Sequence, residues 1–241
     1  MIEAEWLNAT NCSSQLFFLE AMKSGDDRRL RLFGCACCRR ISRLMNIELA
    51  RRVVELAEAY ADGQAAATDL HTLNASPDFL TFDERVSGST ATGPQISKLT
   101  HNLIEAARWL ASAVFDATSA VMCGGLAASD PKKDFFFDPK RCMGGADVPS
   151  EDCELAEQVK LLHDIFGNPF RPVTFDPAWR TENTVGIAAK MYDERDFLGV
   201  PILADALQDA GCEDEVILSH CREPGVHVRG CWVVDLVLDK Q

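Results

Sequence analysis

The sequence predicts an all-α fold: a single-domain, multi-helix bundle with two long irregular segments and an extended proline-rich strap. Three observations carry this. Apolar residues recur at three- and four-residue steps along much of the chain, which gathers them on one side of a helix. Capping residues bracket those runs, with serine, threonine or asparagine in front and glycine behind. Residues 228–238, whose valines suit a strand, lie among helices with no evident partner strand, so they too are assigned as helix.

Taken in order, residues 3–7 predict a short helix or turn anchored by Trp6. Ser13 or Ser14 caps a helix running to about residue 23, with Gly25 just past its end. Residues 26–63 predict a helical hairpin. Leu30, Phe33, Cys37, Ile41 and Leu44 form one stripe, and Leu49, Val53, Leu56 and Tyr60 form the next. Asn46 caps the second helix and Gly63 stops it. Residues 65–73 have weak helical character. Residues 74–94 collect serine, threonine, glycine and proline and predict a loop. It matches no phosphate-binding loop, because no lysine follows a glycine at the needed spacing.

Residues 95–122 carry the longest helical stripe, ended by Cys123-Gly124-Gly125. Residues 124–149 are irregular. There Phe135-Phe136-Phe137 stands between Asp-Pro turns, and burial is the expected fate of a triple aromatic. Ser150 caps a helix with Leu155, Val159, Leu162 and Phe166 on its inner face, stopped by Gly167-Asn168-Pro169. Residues 170–179 hold three prolines and read as a strap over the core. Thr181 or Asn183 starts a helix through Tyr192, and Val200-Pro201 opens another that stops at Gly211. Residues 213–221 form a short helix with acids in its first turn. The N-terminal part, 1–123, and the C-terminal part, 150–241, are expected to pack as one domain across the connector 124–149.

Composition bounds function. The 241 residues are 47% hydrophobic, enough for a sizeable core, yet no run of about 18 apolar residues predicts a membrane span. Two early glutamates and no basic n-region argue against a secretory signal, so the expected compartment is the cytoplasm. A reducing compartment keeps the ten cysteines as thiols. The net charge of −13 disfavours nucleic acid as a partner for the whole surface. Yet between residues 28 and 52 eight arginines face one acid, Glu48, leaving +7 there and −20 elsewhere. Arg39, Arg40, Arg43, Arg51 and Arg52 are therefore the candidate interaction residues. They either pair with carboxylates of the acidic body or dock an acidic partner.

Two constellations are candidates for chemistry. His220, Cys221, His227 and Cys231 are the residue types that ligate zinc, although their spacing matches no known finger or ribbon. The same residues allow a thiol nucleophile with an imidazole base, although no orienting carboxylate is evident beyond Asp235. Acidic runs at 193–196 and 213–215 lack the spacing and glycine of a calcium loop.

Several segments, among them RRLRLFGCACCRRI, IFGNPFRPVTFDPAWRT and HCREPGVHVRGCWVVDLVL, resemble a family of uncharacterised proteins encoded in multiple copies by planctomycete-type bacteria. The resemblance covers both ends and spares much of residues 64–150. It implies no catalytic residue, ligand or cofactor. The expectation is thus a non-catalytic interaction or scaffold module with no cofactor. The alternatives are a Cys/His metal-dependent (zinc) or thiol hydrolase, and a nucleic-acid-associated regulator using the arginine-rich hairpin.

Overall fold

The computed structural model describes residues 1–10, 12–22, 27–40, 48–74 and 151–240. Among these the chain is all-α, with ten α-helices and no strand. The helices are α1 (Glu3–Leu7), α2 (Ser13–Ala21), α3 (Asp27–Arg40), α4 (Glu48–Ala61), α5 (Ala67–Asn74), α6 (Glu151–Phe166), α7 (Glu182–Glu194), α8 (Val200–Asp209), α9 (Glu215–Arg222) and α10 (Trp232–Leu238). No described helix is long and apolar enough to cross a membrane. The helix expected over 95–122, the triple phenylalanine, most of the loop 74–94 and the caps Asn46 and Ser150 lie outside the described residues.

The chain divides into two compact units. The first holds Met1 and residues 9–159, the second residues 2–8 and 160–241. In the first, α3 and α4 run antiparallel. Arg28, at the start of α3, donates to Asp62 just past the end of α4, and the Cys35 thiol meets the carbonyl of Val54. Arg39 forks onto Glu58 through Nε and Nη2 at 2.6 and 3.0 Å. This pairing strengthens the Arg39 charge: burial opposes it, but the Glu58 carboxylate outweighs that and raises its pKa.

A single apolar face was the expectation for α3. Instead every residue from 30 to 38 is buried, including Arg31 at 2% exposure, whose guanidinium lies 4.8 Å from the Tyr60 ring centre. The run Gly34-Cys35-Ala36-Cys37-Cys38 explains it: small side chains let neighbours approach the helix on several sides. Burial pushes the Cys35 thiol well above its ordinary range, and Glu58 adds to the effect.

The second unit is built by local chemistry. Thr181 caps α7 by accepting from the amide of Thr184, and Asp214 caps α9 by accepting from Val216 and Ile217. Pro201 sits in the first turn of α8, where no helical hydrogen bond is lost. The core is formed by Tyr192, Leu203, Leu207, Ile217, Val233 and Val237 with their neighbours. Phe175 and Trp179, from the proline-rich strap, pack against it. The strap contains one 3-10 turn, Pro177–Trp179, and Arg180 just after it donates to the carbonyl of Leu236 near the end of α10. From α1, Trp6 is fully buried with its ring stacked on His163 of α6.

The helix expected over 228–238 begins later, at Trp232. Gly230 adopts φ +97°, a left-handed value that a right-handed helix cannot contain. The amide of Val228 donates to the Asp164 carboxylate at 2.9 Å, which ties this segment to α6. Residues 223–231 are thereby left as a short connection, and that connection shapes the site.

Candidate functional site

Four elements of the second unit converge on one point. The last turn of α6 presents Asp164, and α9 presents His220. The connection after α9 brings in His227, and Cys231 stands immediately before α10. One donor atom from each of the four lies within 4.8 Å of all the others. His227 Nδ1 is 2.7 Å from Asp164 Oδ1, and His220 Nε2 is 3.3 Å from the same oxygen. His220 Nε2 is also 3.3 Å from the Cys231 sulfur, and His227 Nδ1 is 3.8 Å from it.

The surroundings fix these side chains. Asp164 and Cys231 are buried, and the two imidazoles keep only a narrow edge towards solvent. The His220 ring meets His227 edge-on and leans on the Trp232 indole, at centroid distances of 4.9 and 5.0 Å. Gly167 ends α6 at φ +62°, a left-handed value that favours glycine, and packs beside the Trp232 indole.

The electrostatics follow from burial. Desolvation opposes ionisation of Asp164, but hydrogen bonds from His220 and His227 outweigh it and hold its carboxyl below the usual range. Burial pushes the Cys231 thiol well above its ordinary value, and the Asp164 charge adds to that. So in the protein as it stands the cysteine is a neutral thiol, a poor nucleophile.

The wiring distinguishes two chemistries. A nucleophile–base–acid relay needs one imidazole to face the nucleophile with one nitrogen and the carboxylate with the other. Here each imidazole turns a single nitrogen towards both the thiol and the carboxylate. That arrangement does not let a ring take the thiol proton at one nitrogen while the carboxylate orients it through the other. It is, however, the arrangement in which four lone pairs can meet at one centre, and the four residues supply the donors a metal ion uses.

Of the sequence-predicted candidates, His220, His227 and Cys231 are brought together and Cys221 is not. Cys221 is fully buried in the apolar core, and its thiol is pushed up to about 12 by burial and then by Asp164. Successive helix residues point about 100° apart, so His220 and Cys221 cannot serve the same point. Sequence reasoning missed Asp164. A signal was present: it is a carboxylate set in a buried run with Leu161, Leu162 and Ile165, where only a paired charge is tolerated.

Among the arginines, Arg39 pairs with Glu58 and Arg40 with Glu157, while Arg51 and Arg52 are exposed on α4. Arg43 lies outside the described residues. Arg222 donates to Asp205 and Gln208, and Arg229 lies 4.4 Å over the Tyr192 ring. Cys12, Cys35, Cys37, Cys38, Cys212, Cys221 and Cys231 are free thiols.

Compared with known proteins, the chain matches no family model, no curated protein and no solved structure.

Proposed function

We propose that this chain is a non-catalytic interaction or scaffold module, whose C-terminal unit uses the Asp164–His220–His227–Cys231 cluster to hold its helices rather than to react. The observation that carries this reading is the wiring of the cluster: neither imidazole links the thiol to the carboxylate through its two different nitrogens. The buried, neutral thiol of Cys231 supports it as well. The pairing of Arg28, Arg39 and Arg40 with Asp62, Glu58 and Glu157 supports a hairpin charge used within its own unit rather than offered to nucleic acid. Arg51 and Arg52 are exposed on α4 and also make contacts within the chain.

The test is thiol chemistry on the full-length protein. Native protein is mixed with an activated nitrophenyl ester and, separately, with iodoacetamide, and labelled cysteines are identified by mass spectrometry. The expected result is no nitrophenolate burst and no labelling of Cys231 until denaturant is added. Turnover of the ester that disappears in Cys231→Ser would replace the scaffold reading with a thiol hydrolase.

A further inference from the structure

Resting on the reading of the cluster as structural, we infer that Asp164, His220, His227 and Cys231 are the four protein ligands of a zinc-class divalent cation. Two imidazoles, a thiolate and a carboxylate suit zinc and its cobalt substitute. Magnesium and calcium take oxygen donors alone, and copper(I) prefers a softer, sulfur-rich set.

The distances agree with a tetrahedral ion. Zinc bonds of about 2.0–2.3 Å place donors in a tetrahedron about 3.3–3.7 Å apart. Four of the six separations run from 2.7 to 3.8 Å, two of them 3.3 Å, and all six lie within 4.8 Å. Loading the ion requires that Asp164 and His227 part by less than about 1 Å and that any donor pair as far apart as 4.8 Å close by about 1 Å, replacing a direct hydrogen bond with metal bonds.

Charge agrees too. Carboxylate and thiolate together supply −2, so a dication forms a neutral centre in a buried place where an unbalanced charge is costly. On binding, the Cys231 thiol proton leaves to solvent, and the imidazole protons move from His227 Nδ1 to Nε2 and from His220 Nε2 to Nδ1, so that both lone pairs face the ion. The support around the ligands is already in place: the Val228 amide holds the second Asp164 oxygen, and Trp232 backs the His220 ring. Four protein donors leave no position for water or substrate, as in structural rather than catalytic zinc centres.

The ion would tie α6, α9, the 223–231 connection and the start of α10 at one point. It would thus fasten the connection, whose residues 222–226 are exposed.

The experiment uses the full-length chain stripped with a chelator and titrated with Co²⁺. The expected result is one equivalent bound, with the visible bands of tetrahedral cobalt and a near-ultraviolet thiolate-to-cobalt band. One equivalent of Zn²⁺ should bleach both. Cys231→Ser should remove the charge-transfer band while Cys221→Ala keeps it. His227→Ala should raise the Zn²⁺ Kd more than about 100-fold, since losing even a supporting partner costs about 10–100-fold. Where a variant fails to fold, X-ray absorption on the zinc-loaded wild type replaces it and should count one sulfur among four ligands. No stoichiometric uptake, an octahedral spectrum without the thiolate band, or a band that survives Cys231→Ser would overturn the assignment. If Cys231 stays unreactive while no metal binds, this inference fails alone; if metal-free protein turns over the ester through Cys231, the scaffold reading fails instead.

Discussion

Replacing Asp164 with alanine should markedly weaken the C-terminal unit. Asp164 accepts from His227 Nδ1 at 2.7 Å, from the Val228 amide at 2.9 Å and faces His220 Nε2 at 3.3 Å. Its side chain is 4% exposed, so solvent screening does not discount these contacts. Each hydrogen bond to a charged acceptor contributes about 1.5–3 kcal/mol, and the donors left behind are largely shielded from water. Removing one partner of such a network costs about 3–5 kcal/mol. For a unit of this size that lowers Tm by more than about 12 °C. The assay is urea unfolding with excess chelator present, so that bound metal does not enter, followed by tryptophan fluorescence and circular dichroism. Asp205→Asn is the control: its bond to Arg222 is exposed and should be worth less than about 1 kcal/mol. If Asp164→Ala unfolds within about 1 kcal/mol of wild type, the cluster does not hold the unit and the reasoning fails.

Acid should destabilise this unit in two steps. Burial lowers the pKa of His163, whose Nε2 donates to the carbonyl of Trp6. A depressed histidine favours the fold fully above its unfolded value of about 6.5 and loses that contribution as pH falls from there towards the lower folded value. His163→Gln should therefore flatten the loss of stability between about pH 7 and 5, and an unchanged slope would count against this assignment. Asp164, also depressed, contributes above its unfolded value of about 3.9 and loses that only as pH drops through its lower folded value, giving a second fall below about pH 4. Gly167→Ala should cost about 1–2 kcal/mol through its left-handed backbone alone. A change in stability below about 0.5 kcal/mol would count against that backbone argument.

Local chemistry in this chain was legible and long-range chemistry was not. Thr181 in front of α7, Pro201 in α8 and the left-handed Gly63 and Gly211 behind their helices are features that neighbours in sequence determine. The start of α10 was misplaced because the left-handed Gly230 overrides the valine-rich pattern. The all-round burial of α3 was hidden for a related reason: periodicity registers a stripe of large residues, whereas small ones such as Ala36 and Cys38 conceal how many neighbours a helix has. At the site, His220, His227 and Cys231 stood out because one short stretch carries them. Asp164 did not, because its partner His227 lies 63 residues further on and only folding joins them.

The C-terminal unit is discontinuous, and this governs how it is made. Trp6 of α1 reaches its stacking and hydrogen-bonding partner His163 across 157 residues, and Glu3 accepts from Asn168 across 165. On the ribosome α1 emerges long before these partners exist, so its indole waits exposed or sheltered by a chaperone until α6 is synthesised. A clone starting at residue 160 would expose the face of His163 that Trp6 covers, whereas grafting residues 2–8 ahead of it through a flexible linker should restore a self-sufficient fragment.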